Sequence, residues 1–229
     1  MTSKRSRIKR IAKNSDAPIV GVAVTITPHR NTHAGVIYHD AAGNVRILHL
    51  AFHLKLEEIP WDASYLCVVP NLEDEDAEVV AAHCRLIADG KPTIHFAIHY
   101  NPKARLQKVG GTVLLLHEGK GLNCSTFVLT VFESAGPKLL TKVGWEKRES
   151  DKSWQRFLVN LLRSHNAPLT YVKRVAKDIG CARVRPEEVA GACLERDLPA
   201  NFSQCEPNGL AVISELAKHT KRTIKAKWD

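Results

Sequence analysis

The chain has 229 residues, 44% of them hydrophobic, with 33 Lys and Arg against 24 Asp and Glu for a formal net charge of +9. That length supports a real core, in one large domain or in a medium domain with an appendage, and the apolar runs are too short to span a bilayer, which excludes an integral membrane protein. The basic balance favours an anionic partner, nucleic acid or an acidic membrane surface, but with 6% aromatic residues and no basic–aromatic interleaving there is no signal for base stacking.

The opening residues 1–16 are basic and lack a hydrophobic signal core, so they are expected to form a flexible tail, a possible handle for anionic surfaces. Pro18 to Thr27 is rich in β-branched residues and is predicted as a strand. His33 to His39 and Val45 to Ala51 are predicted as two further strands, joined by Asp40-Ala-Ala-Gly-Asn44 as an antiparallel hairpin. On that hairpin His33, Gly35 and Ile37 share a face, as do Ile47, His49 and Ala51, so two histidines can meet across neighbouring strands. Ala63 to Val69, Thr93 to Tyr100 and Gly111 to Leu116 are predicted strands, and Glu75 to Asp89 a helix ended by Gly90. His95 and His99 fall on one strand face without a third ligand and are expected in the core or on the surface. His39, His53 and His117 are background.

Gly121 to Gly136 is predicted as an amphipathic helix whose first turn carries Cys124, with Gly119, Gly121 and Asn123 permitting a tight approach. A thiol at a helix N-terminus faces the positive end of the dipole, which favours the thiolate nucleophile; the competing role is that of a small buried hydrophobe. From Trp145 onward the pattern becomes helical. Lys147 to Lys152 reads as a charged linker, and helices are predicted over Ser153–His165, Leu169–Ile179, Pro186–Arg196 and Leu210–Lys218, with breaks at Gly180, Pro199 and Pro207-Asn-Gly209. The expected organisation is therefore a tail over 1–16, a strand-rich catalytic domain over 17–145 and a helical region over 146–229.

The six cysteines, at 67, 84, 124, 181, 193 and 205, form no C-x-x-C pair. Free thiols in a reducing, cytoplasmic setting are expected, with delivery by a specialised secretion route left open. Cys181, Cys193 and Cys205 are evenly spaced but lack a partner at ligand distance, so core thiols are expected there rather than zinc, and no metal or cofactor is expected.

His33-Ala-Gly-Val-Ile-Tyr38, Ile47-Leu-His-Leu-Ala51 and Asn123-Cys-Ser-Thr-Phe-Val128, in that order, resemble the permuted papain-like cysteine hydrolases. That group includes the permuted NlpC-type and YiiX-like amidases and the lecithin:retinol acyltransferase-like enzymes, and the likeness covers roughly residues 17 to 136. It implies an α+β fold in which the nucleophile helix packs on an antiparallel sheet. It also implies a Cys-His-His triad with Cys124 as nucleophile, His33 as general base and acid, and His49 as the orienting member. The acyltransferase branch has Asn-Cys-Glu-His where this chain has Asn123-Cys-Ser-Thr, which directs the expectation to an amide: a peptide, isopeptide or peptidoglycan stem. Lipid ester or thioester chemistry and a non-catalytic basic binding module are the alternatives.

Overall fold

In this computed structural model the described residues are 7–11, 14–116 and 121–220; the rest of the expected tail, His117 and Gly119 lie outside them. The fold is α+β. Six strands, β1 (Ile8–Lys9), β2 (Val20–Ile26), β3 (Thr32–His39), β4 (Val45–Phe52), β5 (Lys55–Pro60) and β6 (Leu66–Val68), form an antiparallel sheet in the order β1-β6-β2-β3-β4-β5. β2 has every residue buried, because apolar side chains are needed on both of its faces. Val22, Val24, Ala34, Val36, Tyr38, Leu48 and Leu50 point to the main core, whereas Ala23, Ile37, Ile47 and Cys67 form a second, smaller core closed by Tyr65 and Ile11. The alternation of β3 and β4 between these cores fixes their register, since a slip of one residue would exchange the faces.

The β3–β4 turn forms as its residues dictate. Asp40 Oδ1 accepts from the Ala42 and Asn44 amides at 2.9 and 2.8 Å, and Gly43 takes φ +79°. β5, by contrast, is not among the predicted strands. It follows β4 after only His53 and Leu54, and Leu54 adopts φ +60° where such turns usually hold Gly or Asn. A tertiary bond from the Leu54 amide to Ile94 O, 2.9 Å, supports this conformation.

Helices α1 (Asp74–Gly90) and α2 (Cys124–Ala135) lie on the main-core face, and a hairpin of β7 (Arg105–Val109) and β8 (Thr112–Leu116) packs beside them. Thr93 to Tyr100 is not a strand: it makes an isolated bridge, Phe96 to Leu122, and its backbone otherwise serves to seat the start of α2. The C-terminal region contributes α3 (Asp151–Ser164), α4 (Leu169–Ala176), α5 (Pro186–Ala192) and α6 (Phe202–Thr220). α6 runs through Pro207-Asn-Gly209, which was expected to break it. The two helices cross so closely that a Cβ on Gly191 would stand 2.6 Å from the Gly209 amide nitrogen, and Asn208 Nδ2 donates to Glu195 Oε1 at 2.6 Å. Glycine at 191 is what the contact requires, and a Cβ on Gly209 would crowd Glu187 O at 3.2 Å.

Two further expectations are corrected. Residues 7–11 of the basic tail are not free: Ile8 pairs with Val68, Ile11 is buried, and Arg7 donates to Glu195 O and Asn71 Oδ1 at 2.8 Å each. Lys147–Lys152 is not a solvated linker, because Asp151 is 1% exposed and opens α3. The helical region packs on the strand-rich part, since Leu158, Val172, Val189, Cys205 and Leu216 join the same cluster as Val22 and Phe127. Among the described residues no helix is long and apolar enough to cross a membrane.

Candidate active site

Cys124 is the first residue of α2, as its spacing predicts. Asn123 caps the helix: its Oδ1 accepts from the Thr126 amide at 3.0 Å, and Thr126 Oγ1 accepts from the Asn123 amide at 2.8 Å. This reciprocal cap leaves the Cys124 and Ser125 N–H groups outside the helical ladder. The approach depends on Gly121, at φ +116°, where a Cβ would stand 2.2 Å from His95 O.

The thiol is 6% exposed. Burial raises its pKa, while the backbone N–H groups of Ala34 and Ser125, the Ser125 hydroxyl and the Arg183 charge act in the opposite direction without reversing the shift. A helix N-terminus favours an anion by only about 0.3–1 kcal/mol, and desolvation outweighs it here. The expectation of a thiolate at rest is therefore corrected to a neutral thiol. The other cysteines are also buried, except Cys181. Alkylation of Cys124 by iodoacetamide in a Cys181→Ser background should climb with pH through and above the ordinary thiol range. A reactive plateau between about pH 5 and 7 would instead reveal a thiolate–imidazolium pair.

His33 opens the face of β3 that carries the hairpin's histidines, and its Nε2 lies 2.8 Å from His49 Nδ1, the rings meeting edge to face. Gly35 permits this contact. A Cβ there would stand 2.8 Å from Ile47 Cγ2 and 2.9 Å from His49 Cβ, so any larger residue would push β4 and His49 away. Ala34, whose amide acts on the Cys124 sulfur, is the residue next to His33. Cys124 heads α2 on the main-core face and meets the Ala34 amide, whereas the His33 ring shares the opposite face of β3 with Gly35 and Ile37, and among the described residues no hydrogen bond joins the thiol to an imidazole. Catalytic contacts often tighten only when substrate binds. At its outer end His49 presents Nε2 to Glu57 Oε2 on β5 at 3.7 Å, an ionic approach too long for a hydrogen bond.

Burial lowers His33 to about 4, against which Glu57 pulls upward; burial and then the His33 charge lower His49 to about 4. Both rings are neutral at pH 7. Because the unfolded chain binds protons at these sites near pH 6.5 and the folded chain does not, stability is intact above that value and falls as pH drops from about 6.5 to 4. His53 and His83, also lowered by burial, add to the fall. Thermal denaturation should show a declining midpoint across this window, and the slope should be shallower in His49→Gln.

Residues that sequence reasoning missed complete the surroundings. Glu57 was hidden with β5. Tyr65 sits in the second core, 7% exposed; burial, with Asp62, Cys124 and Glu57 nearby, pushes its phenol up to about 12, so it remains a neutral donor. Arg183 arrives from the loop before α5, held by Asp151 and stacked over Trp154 with its guanidinium carbon 3.5 Å from the ring centre. Thr32, just before His33, donates to Glu187 Oε2 on α5 at 2.6 Å, which ties the C-terminal helices to the histidine strand. Among the described residues no three His, Cys, Asp or Glu side chains converge as a metal site. No protein-family model, curated protein or solved structure matches the chain.

Proposed function

We propose that the protein is a cysteine hydrolase that opens an amide bond through a thioester on Cys124, with an arrangement like that of the permuted papain-like hydrolases. The observation that carries this reading is the 2.8 Å His33 Nε2 to His49 Nδ1 contact, one residue along the strand from the amide that acts on the Cys124 sulfur.

The tautomers follow from Glu57. A carboxylate facing His49 Nε2 favours a proton there, so Nδ1 of His49 is the acceptor and Nε2 of His33 the donor. The lone pair of His33 is then on Nδ1, free to act as base. His33 Nδ1 takes the thiol proton as sulfur attacks the carbonyl carbon, and the carbonyl electrons move to oxygen. The Cys124 N–H at the helix end receives that oxyanion, and the Tyr65 hydroxyl, which makes no hydrogen bond among the described residues, is the second donor. His33 returns its proton to the leaving nitrogen as the C–N bond breaks. Water, deprotonated by His33, then attacks the thioester, the C–S bond breaks, and the thiol regains a proton as the carboxylic product leaves. Because thiol and imidazole are both neutral at rest, proton removal accompanies attack, and the geometry of His33 carries more of the catalysis than a standing thiolate would.

The substrate class proposed is a peptide, isopeptide or peptidoglycan-stem amide. Incubation with p-nitrophenyl acyl esters, followed by mass spectrometry of the digested protein, tests the reaction class. The wild type should gain one acyl group on Cys124 that is lost on standing in water, and Cys124→Ala should gain none. Acylation spread over other residues, or undiminished in Cys124→Ala, refutes the assignment.

A further inference from the structure

The surface opens into a cavity of about 360 Å³, bounded by the β2–β3 loop, the start of α3 and the approach to α5. Cys124 and His33 do not line it. It begins one residue from His33, at Thr32, and its wall includes Arg183, whose charge acts on the Cys124 sulfur. Arg183 is thus shared between the cavity wall and the surroundings of the Cys124 sulfur. The volume of the cavity suits a group of the size of one or two amino-acid side chains.

The wall is built around one guanidinium. Arg183 is 8% exposed, and its Nη1 donates to Asp151 Oδ1 at 3.3 Å, a carboxylate already taken by Arg185 Nε at 2.9 Å and Arg148 Nε at 3.0 Å. Its Nε is buried with no acceptor, and no hydrogen bond is recorded for Nη2 among the described residues. Nη2 is thus the nitrogen of Arg183 left for a ligand, while Nε is out of reach of solvent. The Trp154 ring against the guanidinium face holds its plane. A charge-assisted bond from a guanidinium to a carboxylate is stronger than a neutral one. Arg30 on the facing loop and Arg185 add two further positive charges to the wall, against Asp151 and Glu187, the latter occupied by Thr32.

We propose that this cavity is a substrate subsite that receives a carboxylate, bound by Nη2 of Arg183. The inference rests on Cys124 as the nucleophile, and it narrows the substrate to an amide bearing a free carboxylate close to the scissile carbonyl. Arg183 and Trp154 are then the residues that select it.

The test uses the full chain with Cys181→Ser, so that alkylation reports on Cys124. N-iodoacetyl derivatives of glycine, β-alanine and γ-aminobutyrate are each compared with the corresponding neutral amide. At least one acid should alkylate Cys124 about tenfold faster than its amide and with saturation, the factor set by one charge-assisted pair. In Arg183→Gln the ratio should return to about one. In parallel, glutarate is titrated calorimetrically into Cys124→Ala, where binding should appear and should vanish on adding Arg183→Gln. If amides label Cys124 but no acid is preferred and glutarate does not bind, the subsite is refuted while the nucleophile stands. If glutarate binds but no reagent labels Cys124, the carboxylate site stands and the nucleophile is refuted. Should Arg183→Gln fail to fold, the comparison of acid and amide on the wild-type pocket still decides: absence of a preference overturns the proposal.

Discussion

On the proposed mechanism His33→Ala should lower the rate of Cys124 acylation by about ten-thousand-fold, the upper range for removing a general base that acts during attack. The effect is large because the thiol is buried and neutral, with its pKa raised, so almost no thiolate exists to react without assistance. The chain from His33 through His49 to Glu57 predicts a graded series in the same assay. His49→Ala frees the His33 ring and its tautomer and should cost about a hundredfold. Glu57→Gln, acting one step further out across 3.7 Å, should cost about tenfold. Tyr65→Phe removes an oxyanion donor and should lower turnover by about 100- to 1,000-fold with little change in KM. The order distinguishes catalysis from packing. A purely structural His49 would alter the denaturation midpoint but leave acylation of the folded fraction and its pH profile unchanged. Wild-type acylation in folded His33→Ala would remove it as the base.

Asp151→Ala should destabilise the protein by about 3–5 kcal/mol, the range for removing one partner from a buried ionic cluster. The Asp151 carboxylate is 1% exposed and accepts from Arg148, Arg183 and Arg185 at 2.9–3.3 Å. Its loss leaves three guanidinium groups facing one another, with Arg148 still paired to Glu188 by Nη2 to Oε2 at 3.2 Å. For a chain of this size the midpoint of thermal unfolding should fall by roughly 6–20 °C. Asp151→Asn keeps an acceptor but not the charge and should fall between. Because the cluster is buried, 0.5 M salt should not reproduce the loss in the wild type, unlike the case of a surface pair. A shift in midpoint of less than about 3 °C in Asp151→Ala would show that the arginines find other partners. The cluster also holds Arg183, so loss of Asp151 should release the cavity wall.

Local signals sufficed for the elements that carry the proposed chemistry. Asn123 followed by Cys124 at the start of an apolar 3.6-residue stripe marks a capped helix start, and the Gly43-Asn44 turn between two alternating strands marks a hairpin, so the His33 to His49 contact was legible from pattern alone. Where tertiary contacts replace local preference, pattern misled. Leu54 turns with positive φ because its amide is anchored at Ile94, which concealed β5 and with it Glu57. Pro207 and Gly209 sit inside α6 because Gly191 must pass close to them. The sequence 147–152 reads as solvated because nothing local shows that Arg183 and Arg185, more than thirty residues on, return to Asp151.

The thiol at the head of α2 and the two histidines on one hairpin face were determined by the sequence itself, because helix capping and the two-residue period of strands act over a few residues. The protonation state of that thiol, the carboxylate behind His49 and the arginine-lined cavity were decided only by the tertiary structure. Desolvation and charge pairing depend on what the rest of the chain places within a few ångströms, and here the neighbours come from β5 and from the C-terminal region, whose packing the local pattern does not specify.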